Sequence, residues 1–168
     1  MKRIILLLMI VLAGTSCCQA QKLSAKERRI QKEQEIKTLI ESRKFSFEAQ
    51  SALPLSMRKI DLTSRYNLTI DSTWIEAWLP FFGRAYQADY GSTDGGIKFR
   101  EQAKSLQVRF SEKKKLYLID MEVKTEKDNY KIQISAGLGG YANVNVVSNN
   151  RQSIGFYGTI ESLPEKEE

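Results

Sequence analysis

The chain has 168 residues, a formal net charge of +6, two cysteines and no histidine. Without histidine there is no Ser-His-Asp triad, no imidazole general base and no ordinary zinc site. The cysteines stand at positions 17 and 18, so residues 21–168 can form no disulfide, thiolate nucleophile or cysteine metal site, and apolar packing must hold them.

Met1-Lys2-Arg3 is a short basic start, residues 4–13 are wholly apolar, and Gly14-Thr15-Ser16-Cys17-Cys18-Gln19-Ala20 is a small-residue border. This pattern predicts an export signal over residues 1–20, with an apolar region too short to span a bilayer. Two processings compete. Cys18-Gln19-Ala20 fits signal-peptidase cleavage after Ala20. Alternatively, Cys17 or Cys18 becomes an acylated first residue, and lipid attachment tethers an otherwise soluble domain to a membrane. Either way the protein is expected outside the cytoplasm, free in the periplasm or lipid-anchored.

The positive charge is localised. Lys2 and Arg3 belong to the signal, and residues 22–44 hold eight bases against four acids, which leaves residues 45–168 without net charge. The body carries no basic stripe of the kind that tracks phosphates, so nucleic acid is not an expected partner. Ser24-Ala25-Lys26-Glu27 reads as a capping box opening a helix that runs to about Arg43. Its apolar stripe of Ile30, Ile36, Leu39 and Ile40 is thin. The helix is expected to be a charged spacer over residues 21–44 that docks only through its last two turns.

From Phe45 the period changes to two. Phe45, Phe47 and Ala49 form the first inward set, followed by Ile60 and Leu62, then Tyr66, Leu68 and Ile70. Leu106, Val108 and Phe110 face inward next, and Tyr117, Ile119, Met121 and Val123 follow after the Lys113-Lys114-Lys115 tip. Ile132, Ile134 and Ala136, then Ala142, Val144 and Val146, then Ile154, Phe156, Gly158 and Ile160 complete the series. Short alternating runs between turn residues predict one mainly β domain over residues 45–161: an antiparallel β-barrel or β-sandwich preceded by one N-terminal helix. Glycines at 137, 139, 140, 155 and 158 predict strong curvature in the last strands. Residues 162–168 read as an acidic tail.

One aromatic segment interrupts the strands. Trp78-Leu79-Pro80-Phe81-Phe82-Gly83-Arg84-Ala85-Tyr86 leads into a glycine- and aspartate-rich stretch ending at Gly95-Gly96-Ile97-Lys98-Phe99. Pro80 argues against a central strand there, and Gly83 can supply a positive φ. Two readings remain. The segment is either a hydrophobic plug closing one end of the sheet, or a binding mouth. In the second reading Trp74, Trp78, Tyr86 and Tyr90 form an apolar wall and Arg84 orients an anionic group. Asp71, Asp89 and Asp94 sit in turn contexts without the oxygen spacing of a calcium loop, so no metal is assigned.

The string Leu79-Pro80-Phe81-Phe82-Gly83-Arg84-Ala85-Tyr86, with Gly95 to Phe99 and the stretch Asn149-Asn150-Arg151-Gln152-Ser153-Ile154-Gly155-Phe156-Tyr157-Gly158, resembles an uncharacterised family of exported Bacteroidota proteins, domain-of-unknown-function family 4251. The likeness runs over about residues 45–160. It implies an envelope location in a Gram-negative cell and no activity, cofactor or site residue.

The sequence therefore predicts a non-catalytic envelope protein without a cofactor. Its expected partner is a small apolar or anionic ligand, or an envelope protein, bound at Trp74, Trp78, Arg84, Tyr86 and Tyr90. A structural assembly component is the alternative. A hydrolase of cell-wall glycans is a further one, and it would need two carboxylates facing one cleft about 5 to 9 Å apart.

Overall fold

The computed structural model describes residues 24–86 and 95–163; the expected signal segment, Cys17, Cys18, Asp89, Tyr90, Asp94 and the end of the acidic tail lie outside them. One helix, α1 (Ala25–Ser42), precedes nine strands: β1 (Lys44–Pro54), β2 (Ile60–Asp61), β3 (Asn67–Asp71), β4 (Trp74–Leu79), β5 (Ile97–Ser111), β6 (Leu116–Lys124), β7 (Asn129–Gly137), β8 (Tyr141–Ser148) and β9 (Ile154–Glu161). All pairings are antiparallel between sequence neighbours except at the ends, where β1 pairs with both β3 and β9. Eight strands thus close into a barrel, and the two-residue β2 hangs beside the far half of β1. The period-2 reading left barrel and sandwich open; the β1–β9 pairing makes the sheet a barrel.

The alternation in sequence becomes inside and outside. Phe45, Phe47, Leu68, Ile70, Ile75, Ile119, Ile132, Ile134 and Phe156 are almost fully buried, and their strand neighbours are more exposed, save in β1, where Ser46 is buried as well. An eight-stranded barrel has an interior just wide enough to be filled by such side chains. Three phenylalanines and a majority of branched aliphatics fill it here.

Strand β1 closes the barrel by serving two partners. Its first residues pair with β3, and from Ser46 to Pro54 it pairs with β9, with a bulge between Ala49 and Ser51. Opposite the bulge sits Gly158, paired with Ala49 on one side and Ala142 on the other. A Cβ there would overlap the carbonyl oxygen of Glu48 and lie 3.0 Å from the Phe47 ring. The seam therefore needs a residue with no side chain at this position.

The lower end is covered by α1. Ser24 and Glu27 form the expected capping box, with Glu27 accepting from the Ser24 N–H at 2.8 Å, and these bonds hold the Glu27 carboxyl below its ordinary pKa. Ile36 and Ile40 are fully buried, Leu39 packs partly against the core, and Ile30 stays 44 % exposed. The last two turns dock and the first half is solvated. Arg43 then adopts the left-handed conformation (φ 55°) that turns the chain into β1. The Tyr117 hydroxyl, beneath the helix, donates to Glu41 Oε1 at 2.9 Å.

Two expectations need correction. β4 continues through Trp78 and Leu79 up to Pro80, so the strand is interrupted two residues later than the sequence suggested. β5 begins at Ile97 rather than near Leu106 and runs for 15 residues, with a bulge between Ala103 and Ser105. The bulge switches the face on which the alternation falls, and a single period-2 window misses it.

Replacing Gly158 by Ala is expected to cost on the order of 3 kcal/mol through backbone overlap. Gly139→Ala, whose Cβ would meet open space, should stay within about 0.5 kcal/mol. Urea midpoints of the two variants measure the contrast. Desolvation, then the bond to Glu41, pushes the Tyr117 phenol up to about 12 from its ordinary 10. The folded state thus favours the neutral phenol, and its contribution is full below pH 10 and lost as the pH rises to 12. Between those values wild type should lose stability faster than Tyr117→Phe.

Candidate functional site

The predicted site residues fall on two parts of the barrel. Trp74 and Trp78 lie on the outer face of β4, alternating with the inward Ile75, Ala77 and Leu79, and each is 51 % exposed. Both are wall residues, on the opposite side of the strand from the core. The Lys98 ammonium of the neighbouring β5 stands 4.1 Å from the centroid of the Trp78 ring, a cation–π contact that holds the indole against the sheet. Between the tryptophans Glu76 reaches Arg100 of β5 at 3.8 Å. The outer face of β4 is thus an aromatic–charged–aromatic stripe.

Arg84 and Tyr86 sit at the upper rim. The segment entering it divides its labour by residue. Leu79 and Pro80 are buried, and Phe81 and Phe82 pack partly against the core. These four residues pack as the plug of the two readings the sequence leaves open. Gly83 does not have a positive φ. Its small size matters instead, because a Cβ there would lie 2.9 Å from the Phe81 ring. Arg84 and Tyr86 are exposed, and Tyr90 is outside the described residues.

The rim is fastened to the β8–β9 connection. The Arg84 carbonyl accepts from the Gln152 N–H at 3.0 Å, the Tyr86 N–H donates to the Asn150 carbonyl at 2.7 Å, and Ala85 bridges to Arg151. Gln152 also donates to Ser56 Oγ at 2.9 Å. Arg151 donates to the carbonyls of Gly95 and Gly96, and its guanidinium lies 5.3 Å from the Phe81 ring centroid. Arg151 and Gln152 thus tie together three chain segments remote in sequence.

Asp128 organises this connection from below and was missed. It is buried, accepts from the Asn129 N–H at 2.7 Å and the Asn149 N–H at 3.2 Å through Oδ1, and takes the Ser148 hydroxyl on Oδ2. Ser148 Oγ in turn accepts from the N–H groups of Asn150 and Arg151. In the sequence Thr125-Glu126-Lys127-Asp128 is a polar stretch between two alternating apolar runs, the composition of an ordinary turn. Its contact with a hairpin 20 residues away was not visible there.

Asp120 and Glu122 line one shallow groove on the outer wall with Arg109 and Lys131. Asp120 is bound by Arg109 at 2.6 Å and by Gln133 at 3.0 Å, and Glu122 is 3.5 Å from Lys131. These are cross-strand ion pairs on adjacent strands. Among the described residues no group of three acidic, histidine or cysteine side chains is placed to hold a metal. No described helix is long and apolar enough to cross a membrane.

The sequence profile of the domain of unknown function DUF4251 matches residues 27–160. No curated protein is similar at a significant level. Among solved structures, the crystal structure of a DUF4251 family protein from Bacteroides eggerthii superposes with a TM-score of 0.61 over 79 % of this chain and 88 % of that one, at 12 % identity. That degree of identity speaks to the fold alone.

Removing the Asp128 carboxylate strips a buried acceptor from two N–H groups and a hydroxyl. Asp128→Ala should therefore cost about 3 kcal/mol. Hydrogen exchange should quicken first at residues 149–152 and at the Tyr86 amide, before the strands are affected.

Proposed function

The chain belongs to the DUF4251 family, and on that premise we propose that it is a non-catalytic cell-envelope protein that binds a protein partner on its outer surface. The observation that carries this reading is the filled barrel. Phe45, Phe47 and Phe156 occupy the interior, α1 covers one end through Ile36 and Ile40, and Leu79 with Pro80 closes in the other. A small-ligand carrier of this strand number keeps a cavity or an open mouth in its barrel. The side chains that would line such a cavity here pack against one another.

What the protein offers is its wall. Trp74 and Trp78 are half exposed on one strand face, Trp78 is oriented by Lys98, and Arg84 and Tyr86 stand on the adjoining rim. Tryptophan, tyrosine and arginine are the residue types that dominate binding energy at protein interfaces. The rim is held by Gln152, Asn150 and Arg151, so these groups are presented on a rigid frame. The export signal expected from the sequence and the charged first half of α1 fit a domain held off a membrane surface, by lipid at Cys17 or Cys18 or by α1 alone.

A photoreactive residue placed at Trp78 in living cells tests this. A single discrete protein adduct from position 78, absent when the probe sits at Asn143 on β8, is the expected result. Saturable uptake of a fluorescent apolar probe, lost on enlarging an inward side chain such as Ala77→Leu, would instead make the protein a ligand carrier.

A further inference from the structure

Among the described residues, the barrel wall is incomplete along one line. β4 pairs with β5 only from Ile97 to Gln102, whereas β5 continues to Ser111 in register with β6. Beyond the bond from the Ala103 N–H to the Thr73 carbonyl, residues 104–111 have β6 on one side. On the other side, among the described residues, they have no strand and no backbone hydrogen bond. In an antiparallel ladder alternate residues turn both backbone groups to the same side, so roughly four residues here present a donor and acceptor with no partner among the described residues.

The side chains record the same gap. Leu106, Val108 and Phe110 are paired with Met121, Ile119 and Tyr117, which are buried. Leu106 and Val108 are only half-buried and Phe110 is 38 % exposed, and no strand among the described residues covers their free side. Phe110 also lines a groove of about 740 Å³ beneath the first turns of α1, with Glu112, Lys115 and Leu138.

The charge of the edge selects an occupant. Residues 103–115 carry five bases, Lys104, Arg109, Lys113, Lys114 and Lys115, against Glu112. Arg109 is engaged by Asp120, while Lys104 and the three tip lysines make no ion pair among the described residues. Lysines and a bulge on a sheet edge deter pairing between copies, because each copy brings the same charge. They do not deter an acidic strand. Past the bulge, residues 105–110 are regular and carry three apolar side chains.

We propose that residues 104–111 of β5 are a strand-addition site that takes an extended, acidic segment of a partner polypeptide. The segment lies antiparallel to β5, in line with β4. Backbone bonds complete the ladder, alternate apolar residues cover Leu106 and Val108, and alternate carboxylates meet Lys104 and the tip lysines. This deepens the partner-binding reading by naming a place and a chemistry, and it rests on that reading.

The probe is a capped Glu-Val repeat octapeptide added to the full-length chain in detergent, with a Lys-Val repeat and an edge-N-methylated Glu-Val repeat as controls. Binding by the first alone is expected, with slowed amide exchange confined to residues 104–111. Lys104→Glu combined with Lys114→Glu, both exposed, should weaken it at least tenfold without moving the unfolding midpoint. Added salt should weaken wild type more than the variant. Absence of saturable Glu-Val binding would overturn the proposal, as would equal binding of the Lys-Val repeat. Protection on β4 instead of β5 would overturn the edge while leaving the partner-binding reading standing. Concentration-dependent protection of residues 104–111 without peptide would mean that a second copy takes the edge. Loss of the adduct from position 78, with the peptide result intact, would overturn the aromatic surface and not the edge.

Discussion

Everything in this fold depends on the close approach of β1 to β9 at Gly158. The Glu48 carbonyl lies where a Cβ at that position would stand, and the bulge after Ala49 bends β1 enough to bring it there. If that contact is opened, β1 and β9 each become a free edge and Phe47 loses one wall of its site. A sheet of this many strands then has no single way to bury its inward face. One missing side chain makes eight strands a closed cylinder. Closure in turn leaves an interior narrow enough for Phe45, Phe47, Phe156 and the aliphatic set to fill.

A filled interior leaves the outer wall and the rim as the surfaces open to other molecules. The two ends are sealed differently: below by an apolar pair on a helix, Ile36 and Ile40, and above by a backbone-pinned segment, Leu79 to Phe82. The upper seal is supported by polar groups reaching across the fold. Asp128 sets the β8–β9 connection, and Arg151 and Gln152 carry that order to Gly95, Gly96 and Arg84. Rigidity at the rim and exposed aromatic side chains on the wall are what an interaction module needs, since little ordering entropy is lost on binding.

The stripe of Trp74 and Trp78 and the open half of β5 meet where β4 begins. Trp74 is paired with Gln102, and the unpaired stretch starts two residues further along β5. A partner strand laid against that stretch would lie next to the first tryptophan. One strand of six residues beside one of fifteen leaves both features.

Much of this was legible in the residues alone. The alternation of Tyr117, Ile119, Met121 and Val123, or of Ile154, Phe156 and Ile160, declares antiparallel strands because side-chain direction in a strand is a local, period-2 property. The capping box at Ser24 and Glu27 and the thin stripe at Ile36 and Ile40 declare a helix docked at its end for the same local reason. The string around Pro80 resembles a family, and it leaves both a plug and a binding mouth open. Closure was not local: it rests on Glu48 meeting Gly158 across 110 residues, and any of several pairings would satisfy the same alternation. The roles of Asp128, Arg151 and Gln152 were hidden likewise, because a polar residue in a turn looks the same whether it faces water or a distant carbonyl. Trp74 and Trp78 could be seen as aromatic, but which side of the wall they occupied, and that β5 outran its neighbour, depended on register, which only the assembled sheet decides.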